Sequence, residues 1–245
     1  MSGPTSDPNG FASRRARILE RIAAAAVRAG RDPATVSLLA VSKTHPPEAV
    51  AAAARAGQTL FGENRVAEGI EKIQALRPEF PGLVWKLIGP LQTNKAKAAL
   101  QWFSAVETLD RERLASRLAA LLPPEAPAYP VLLEVNIAGE ASKSGARPDE
   151  LEPLAAATLA LGRFDVRGLM TVPPFDEDPE AARPHFRRLA KLRDALVAKL
   201  GRELPELSMG MSHDFEVAVE EGATEVRVGT ALFGEREPIP GGVRP

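Results

Sequence analysis

A chain of 245 residues with 44% hydrophobic and 26% charged residues has the make-up of a folded globular protein and is long enough to bury a substantial core. Its 31 Lys and Arg against 32 Asp and Glu leave a formal charge of −1, too balanced to leave an electrostatic footprint for DNA or an anionic membrane, so neither is an expected partner. The absence of cysteine removes disulfides, thiolate catalysis and cysteine-ligated metal together.

Residues 1–10 are polar, contain Pro4 and Pro8, and lack the apolar core of a secretory signal, so they are expected as a disordered tail. No apolar stretch approaches the ~20 residues of a membrane span, and a cytoplasmic protein is expected. Residues 11–29 are rich in Arg and Ala, with Ile18, Ile22 and Val27 near one helical face and Gly30 as a stop, which predicts a leading helix. From there, apolar runs of about five residues alternate with helical stretches. The predicted strands are 36–41, 58–61, 84–88, 102–106, 131–135, 166–172, 206–209 and 224–228. The predicted helices between them include 47–56 closed by Gly57, 67–76 ahead of Pro78, a helix capped by Asp110 and carrying Leu114, Leu118 and Leu122, and 151–161 closed by Gly162. The longest, 180–200, places Phe186, Leu189, Leu192, Leu196 and Leu200 at core spacing with Gly201 behind them, and Pro184 predicts an irregular first turn.

Eight β/α units in about 250 residues is the rhythm of a closed barrel. The fold class predicted is α/β, a single (β/α)8 TIM-type barrel with an extra N-terminal helix, spanning 11–237, followed by a flexible Pro- and Gly-rich tail at 238–245. The alternative is a doubly wound open sheet. Unbroken alternation as far as Phe233, and no Gly-x-Gly-x-x-Gly turn after the first strand, favour the barrel.

In such a barrel the chemistry lies at the carboxyl ends of the strands, and those ends carry unusual residues. Lys43 closes the first strand, just before Thr44-His45-Pro46-Pro47. An ordinary lysine near pKa ~10.4 offers one neutral amine in ~2,500 at pH 7, and lowering that pKa by ~3 takes roughly 4 kcal/mol of differential interaction. Taken alone, Lys43 is a lysine snorkelling from a strand end. The seventh strand runs into Met209-Gly210-Met211-Ser212-His213-Asp214 and the eighth into Arg227-Val228-Gly229-Thr230, where barrels commonly cradle a phosphate on backbone amides. Ser212 can donate to a phosphate oxygen or act as a plain helix N-cap. Gly229 and Thr230 offer the same chemistry or a tight turn. Arg227 lies among apolar residues and needs an acceptor, which an ion pair with Glu134 or Glu225 can supply. His45, His185 and His213 show no ligand-pair spacing, so no metal site is expected.

A lysine opposite a phosphate cradle suggests a phosphorylated aldehyde held as a Schiff base. The segments Ala40-Val41-Ser42-Lys43-Thr44, Phe61-Gly62-Glu63-Asn64, Ile88-Gly89-Pro90-Leu91-Gln92-Thr93-Asn94-Lys95, Ser208-Met209-Gly210-Met211-Ser212 and Val226-Arg227-Val228-Gly229-Thr230-Ala231-Leu232-Phe233-Gly234 closely resemble the pyridoxal phosphate homeostasis protein family, small proteins with an alanine-racemase-like N-terminal barrel. The resemblance spans 36–234 and implies the fold-type III barrel without its β-domain. It implies that Lys43 holds pyridoxal 5′-phosphate (PLP) as an internal aldimine, that Ser212, Gly229 and Thr230 bind its phosphate, that Arg227 faces the pyridine nitrogen, and that Asn64 lines the pocket near the ring. A fixed cation at that nitrogen opposes its protonation and weakens the ring as an electron sink.

Two positions depart from the family pattern: Lys86, where members usually carry His, and Arg65, where an aromatic residue is common. Lys95 and Lys143 are further amines within the chain, and His213 is expected to face solvent. The related racemases add a β-rich domain whose tyrosine supplies a second base, whereas the sole tyrosine here, Tyr129, lies in a Pro-flanked loop before the fifth strand. The expected function is PLP homeostasis: buffering the cofactor and delivering it to apo-forms of PLP-dependent enzymes, by a monomer that is not itself an enzyme. A PLP-dependent amino-acid racemase of weak or narrow activity is the alternative, and a cofactor-free Schiff-base aldolase using Lys43 is a more distant one.

Overall fold

A computed structural model of the chain describes residues 8–140 and 143–234. Eight parallel strands close into a barrel in sequence order: β1 (Ser37–Val41), β2 (Leu60–Glu63), β3 (Val84–Leu87), β4 (Ala105–Leu109), β5 (Tyr129–Glu134), β6 (Phe164–Met170), β7 (Glu206–Ser208) and β8 (Glu225–Val228). β8 closes on β1 with Leu39 opposite Arg227 and Ala40 opposite Val228. Closure excludes the open doubly wound sheet, and it leaves no edge strand. Around the barrel run α1 (Pro8–Arg28), α2 (Pro47–Arg55), α3 (Val66–Leu76), α4 (Ala96–Trp102), α5 (Glu112–Ala119), α6 (Leu151–Ala160), α7 (Arg183–Leu200), α8 (Phe215–Glu220) and the single turn α9 (Thr230–Phe233).

The extra helix α1 is present and already begins at Pro8, three residues inside the stretch expected as tail; residues 1–7 and 235–245 lie outside the described part of the chain. It buries Phe11, Ile18, Ile22, Ala25 and Ala26. Val27 does not share that face: it is 66% exposed, because 100° per residue carries it past the stripe set by Ile18, Ile22 and Ala26. Arg21 and Arg28 tie the helix to Glu216 and Glu220 of α8. In α7, Phe186, Leu189 and Leu196 are fully buried while Leu192 and Leu200 pack at the margin. A 3-10 turn at Pro179–Ala182 precedes it, Pro184 is its second residue, and Gly201 ends it in the left-handed conformation that costs glycine least.

Three local expectations shift. The fourth strand starts at Ala105, because Trp102 completes α4 and the apolar run continues across the boundary between helix and strand. Asp110 caps nothing: the N-cap position of α5 is Arg111, and the Asp110 carboxylate pairs with that guanidinium instead. Tyr129 is not in a loop but opens β5, buried on the outer wall with its hydroxyl donating to the Phe103 carbonyl at 2.8 Å. No helix among the described residues is long and apolar enough to cross a membrane.

Candidate functional site

The alternation of strand residues sends Leu39 and Val41 into the barrel while Leu38 and Ala40 pack under the helices. Lys43 follows two residues past Val41, half-buried, in a tight turn whose next residue, Thr44, takes a φ of 67°. Pro46 and Pro47 then start α2.

At the ends of β7 and β8 the sequence-predicted cradle assembles. Asp214 precedes α8 and its carboxylate accepts the Met211 amide at 2.6 Å. Ser212 is therefore not the helix cap. Its Oγ points to the eighth strand instead, accepting the amides of Gly229 and Ala231 at 3.3 Å each. Two backbone N–H groups thus converge on one oxygen at long range, a donor arrangement suited to an anionic oxygen. A Cβ added to Gly229 would stand 3.3 Å from the Val41 carbonyl, so this cradle lies against the end of the strand that delivers Lys43. Thr230 is the first residue of α9 and is exposed.

Arg227, only 4% exposed, lies beneath. It makes neither ion pair anticipated from the sequence: Nη1 donates to Ser208 Oγ at 2.8 Å and Nη2 to the Thr171 carbonyl at 2.7 Å. Burial pulls its basicity down while Glu107, Glu225, Asp214 and Glu134 act the other way; a guanidinium stays charged regardless. Below it the barrel interior is ionic. Lys86 pairs with Glu225 at 2.6 Å, Glu107 at 3.0 Å and Glu206 at 3.4 Å, and Ser208 donates to Glu107 at 2.6 Å. Burial and the neighbouring Glu107 push the Glu225 carboxyl well up, whereas for Glu107 the same burial is outweighed by Lys86, by the hydrogen bond from Glu225 and by Arg227, which hold it below the usual carboxylate range. A cavity of about 320 Å³ opens below, at the amino-terminal end of the barrel, between Thr35, Ser37, Lys86, Glu206 and Glu225. Lys86 thus belongs to the barrel floor, away from the Lys43 end.

Asn64, just past β2, keeps its Oδ1 buried with no hydrogen-bond partner among the described residues. Gly89 makes room for it, since a Cβ there would fall 2.2 Å from the Asn64 carbonyl oxygen. Of the other residues singled out, Arg65 is exposed ahead of α3, Lys95 is exposed, Lys143 pairs with Glu140 at 2.7 Å, and exposed His213 bonds the Glu177 carbonyl at 2.8 Å beside Phe175. Among the described residues no group of three or more His, Cys, Asp or Glu could hold a metal ion.

Glu134 was legible only as a possible partner for Arg227, yet it is a distinct feature. It ends β5 on the inward parity of Leu132 and Asn136, 8% exposed, with Oε2 unpartnered. Burial, reinforced by Asp110, raises its carboxyl from the ordinary 4.5 to about 7, against Arg227 and Arg111. The unfolded chain releases this proton near 4.5 and the folded protein near 7, so stability falls as pH rises through that window. Glu134→Gln is expected to remove about 3 kcal/mol of the stability lost between pH 4 and pH 8, read by urea unfolding at both values. An undiminished loss would mean that the carboxyl is not held up. Ser208 and Glu107 were not visible as site residues, because a polar residue inside an apolar run gives no sign of which partner closure will bring.

A family model described as alanine racemase, N-terminal domain, matches residues 15–237. The pyridoxal phosphate homeostasis protein of Aquifex aeolicus is 47% identical over 224 residues, covering 91% of this chain and 97% of that one. The protein of the same description from Escherichia coli K12 is 43% identical over 235 residues, covering 94% and 98%. PipY of Synechococcus elongatus PCC7942, solved with PLP bound, superposes with a TM-score of 0.77 at 36% identity, covering 89% of this chain and all of that one. Alanine racemase of Corynebacterium glutamicum, at 22% identity and a TM-score of 0.63, shares the fold.

Proposed function

The chain belongs to the pyridoxal phosphate homeostasis protein family, and on that premise we propose that it binds PLP covalently through Lys43 and serves in managing the cofactor. The observation that carries this reading is the placement of the Gly229 turn, with its two amides and Ser212, against the Val41 carbonyl two residues before Lys43. An amine and an anion cradle then address one molecule from two sides.

Bound PLP supplies an aldehyde that condenses with amines and a pyridine ring able to take up negative charge. The residues present fit it. The Gly229 and Ala231 amides with the Ser212 and Thr230 hydroxyls would take the phosphate, and Asn64, whose buried Oδ1 has no partner among the described residues, would line the pocket near the ring. Arg227 is assigned to the pyridine nitrogen. Fastened by Ser208 and Thr171, and unable to give up its charge, it would disfavour a proton there and so weaken the ring as an electron sink. The chain's single tyrosine is committed to the outer wall and cannot act as a base opposite Lys43. These features suit holding a reactive aldehyde better than turning over an amino acid.

Delivery to apo-enzymes by a cytoplasmic monomer belongs to the same reading. Loaded protein mixed with an apo-enzyme is expected to transfer PLP faster than the same concentration of free cofactor does; equal rates would exclude delivery and leave storage. Incubation with single-enantiomer amino acids is expected to give no stereochemical exchange. Exchange that Lys43→Ala abolishes would overturn the carrier in favour of a racemase.

A further inference from the structure

We propose that Lys72, held between Glu63 and Glu68, is a positioning residue that fixes the turn carrying Lys43. Lys72 lies on the inner face of α3, 3% exposed. Its ammonium donates to the Ser42 carbonyl at 2.6 Å, Glu63 Oε1 at 2.7 Å and Glu68 Oε1 at 2.7 Å, which uses all three N–H groups. Ser42 Oγ donates to the same Glu63 oxygen at 2.6 Å, and the Thr44 amide donates to the same Glu68 oxygen. The residue before Lys43 is therefore gripped at its carbonyl and its hydroxyl, and the residue after it at its amide. All of this happens on the helix side of the barrel wall, away from the cradle.

Two physical points make this more than a staple between α3 and the sheet. Thr44 at φ 67° is a β-branched residue in the left-handed region, a conformation that costs about 1–3 kcal/mol and persists only where surroundings over-determine it. The bond from its amide to Glu68 supplies that restraint. Further, a buried ion pair such as Lys72 with Glu63 seldom stabilises a fold better than apolar side chains of the same volume, so the geometry it fixes explains it better than stability does. With its protons all spent, Lys72 also does not compete with Lys43 for an aldehyde.

The assignment rests on Lys43 being the covalent lysine, and its test separates the two. Lys72→Met alone would orphan Glu63, so the informative variants are Glu68→Gln and the double variant Glu63→Gln/Lys72→Met, which removes both buried charges together. In cofactor-free protein, hydrogen exchange of the Thr44 amide is expected to accelerate at least about tenfold in both, with core-strand amides unchanged. On adding PLP, covalent capture at Lys43 is expected to slow by about 10- to 100-fold, the range a displacement of about 1 Å produces, and the induced circular dichroism per captured cofactor to fall. Capture at the parent rate in both variants would overturn the positioning role while leaving the covalent role of Lys43 standing. Equal acceleration of all core amides would reduce the triad to a structural staple and overturn it too. Failure of the parent protein to capture PLP at Lys43 would remove both readings.

Discussion

Lys43→Ala is expected to leave no borohydride-stable PLP adduct and to weaken PLP binding by at least about 100-fold, ~3 kcal/mol, while the fold is retained. The covalent bond needs a neutral amine, which none of the other residues assigned to the site supplies. What remains is the cradle: the Ser212 hydroxyl and the Gly229 and Ala231 amides, which recognise a phosphate but form no bond to it. The residual affinity should therefore resemble that for a PLP analogue without the aldehyde, and inorganic phosphate should compete for it. Because Lys43 is half-buried at a turn rather than packed in the core, thermal unfolding of cofactor-free Lys43→Ala should match the parent within a few degrees. Equal PLP affinity in parent and variant, measured by equilibrium dialysis, would remove Lys43 from the site.

Lys86→Met is expected to destabilise the cofactor-free protein by about 3–5 kcal/mol, the cost of leaving buried carboxylates without their cation. Glu107 and Glu225 are fully buried and Lys86 is the ammonium between them, at 3.0 and 2.6 Å. Two consequences separate this from a packing defect. Adding Glu225→Gln should restore part of the loss, since it leaves one buried carboxyl, Glu107, in place of two that face each other once Lys86 is gone. Lowering the pH should also restore part of it: without Lys86 the carboxyls are held above their unfolded values, so the folded state binds more protons and gains stability as pH falls. Urea unfolding of the single and double variants at pH 5 and pH 8 measures both. A loss under 1 kcal/mol, or one independent of pH, would mean that the barrel floor is not held by charge. Since Arg227 is fixed through Ser208, which also bonds Glu107, the same floor bears the cation assigned to the cofactor ring.

The barrel was legible because each strand announces itself as a short apolar run between turn residues, and eight such runs in sequence order leave little freedom once connections are right-handed crossovers. Boundaries were less legible where a run crosses an element: Trp102 and Phe103 are as apolar as β4 itself, so the apolar run alone places the start of the strand too early. Val27 stands nine residues after Ile18, half a turn away at 100° per residue, so helical spacing alone already sets it off the buried face; whether Asp110 caps α5 or pairs with the adjacent Arg111 depends on geometry the sequence does not carry. Within the site, Lys43, Ser212 and Gly229 were visible as specific residues at strand ends, and the structure brings Ser212 and Gly229 together beside the end of β1, two residues before Lys43. The residues that hold them were not. The pairing of Glu68 with Lys72 follows helical spacing, but its reach to Ser42 spans 30 residues and exists only after β1, β2 and α3 have packed. Glu107 and Glu225 likewise meet only across the closed barrel, 118 residues apart in sequence.

The most direct test is to load the purified protein with PLP, reduce it with borohydride and map the modified peptide by mass spectrometry. Modification confined to the peptide bearing Lys43, at one cofactor per chain, is the predicted result; modification at Lys95 or Lys143 instead, or none at all, would contradict it.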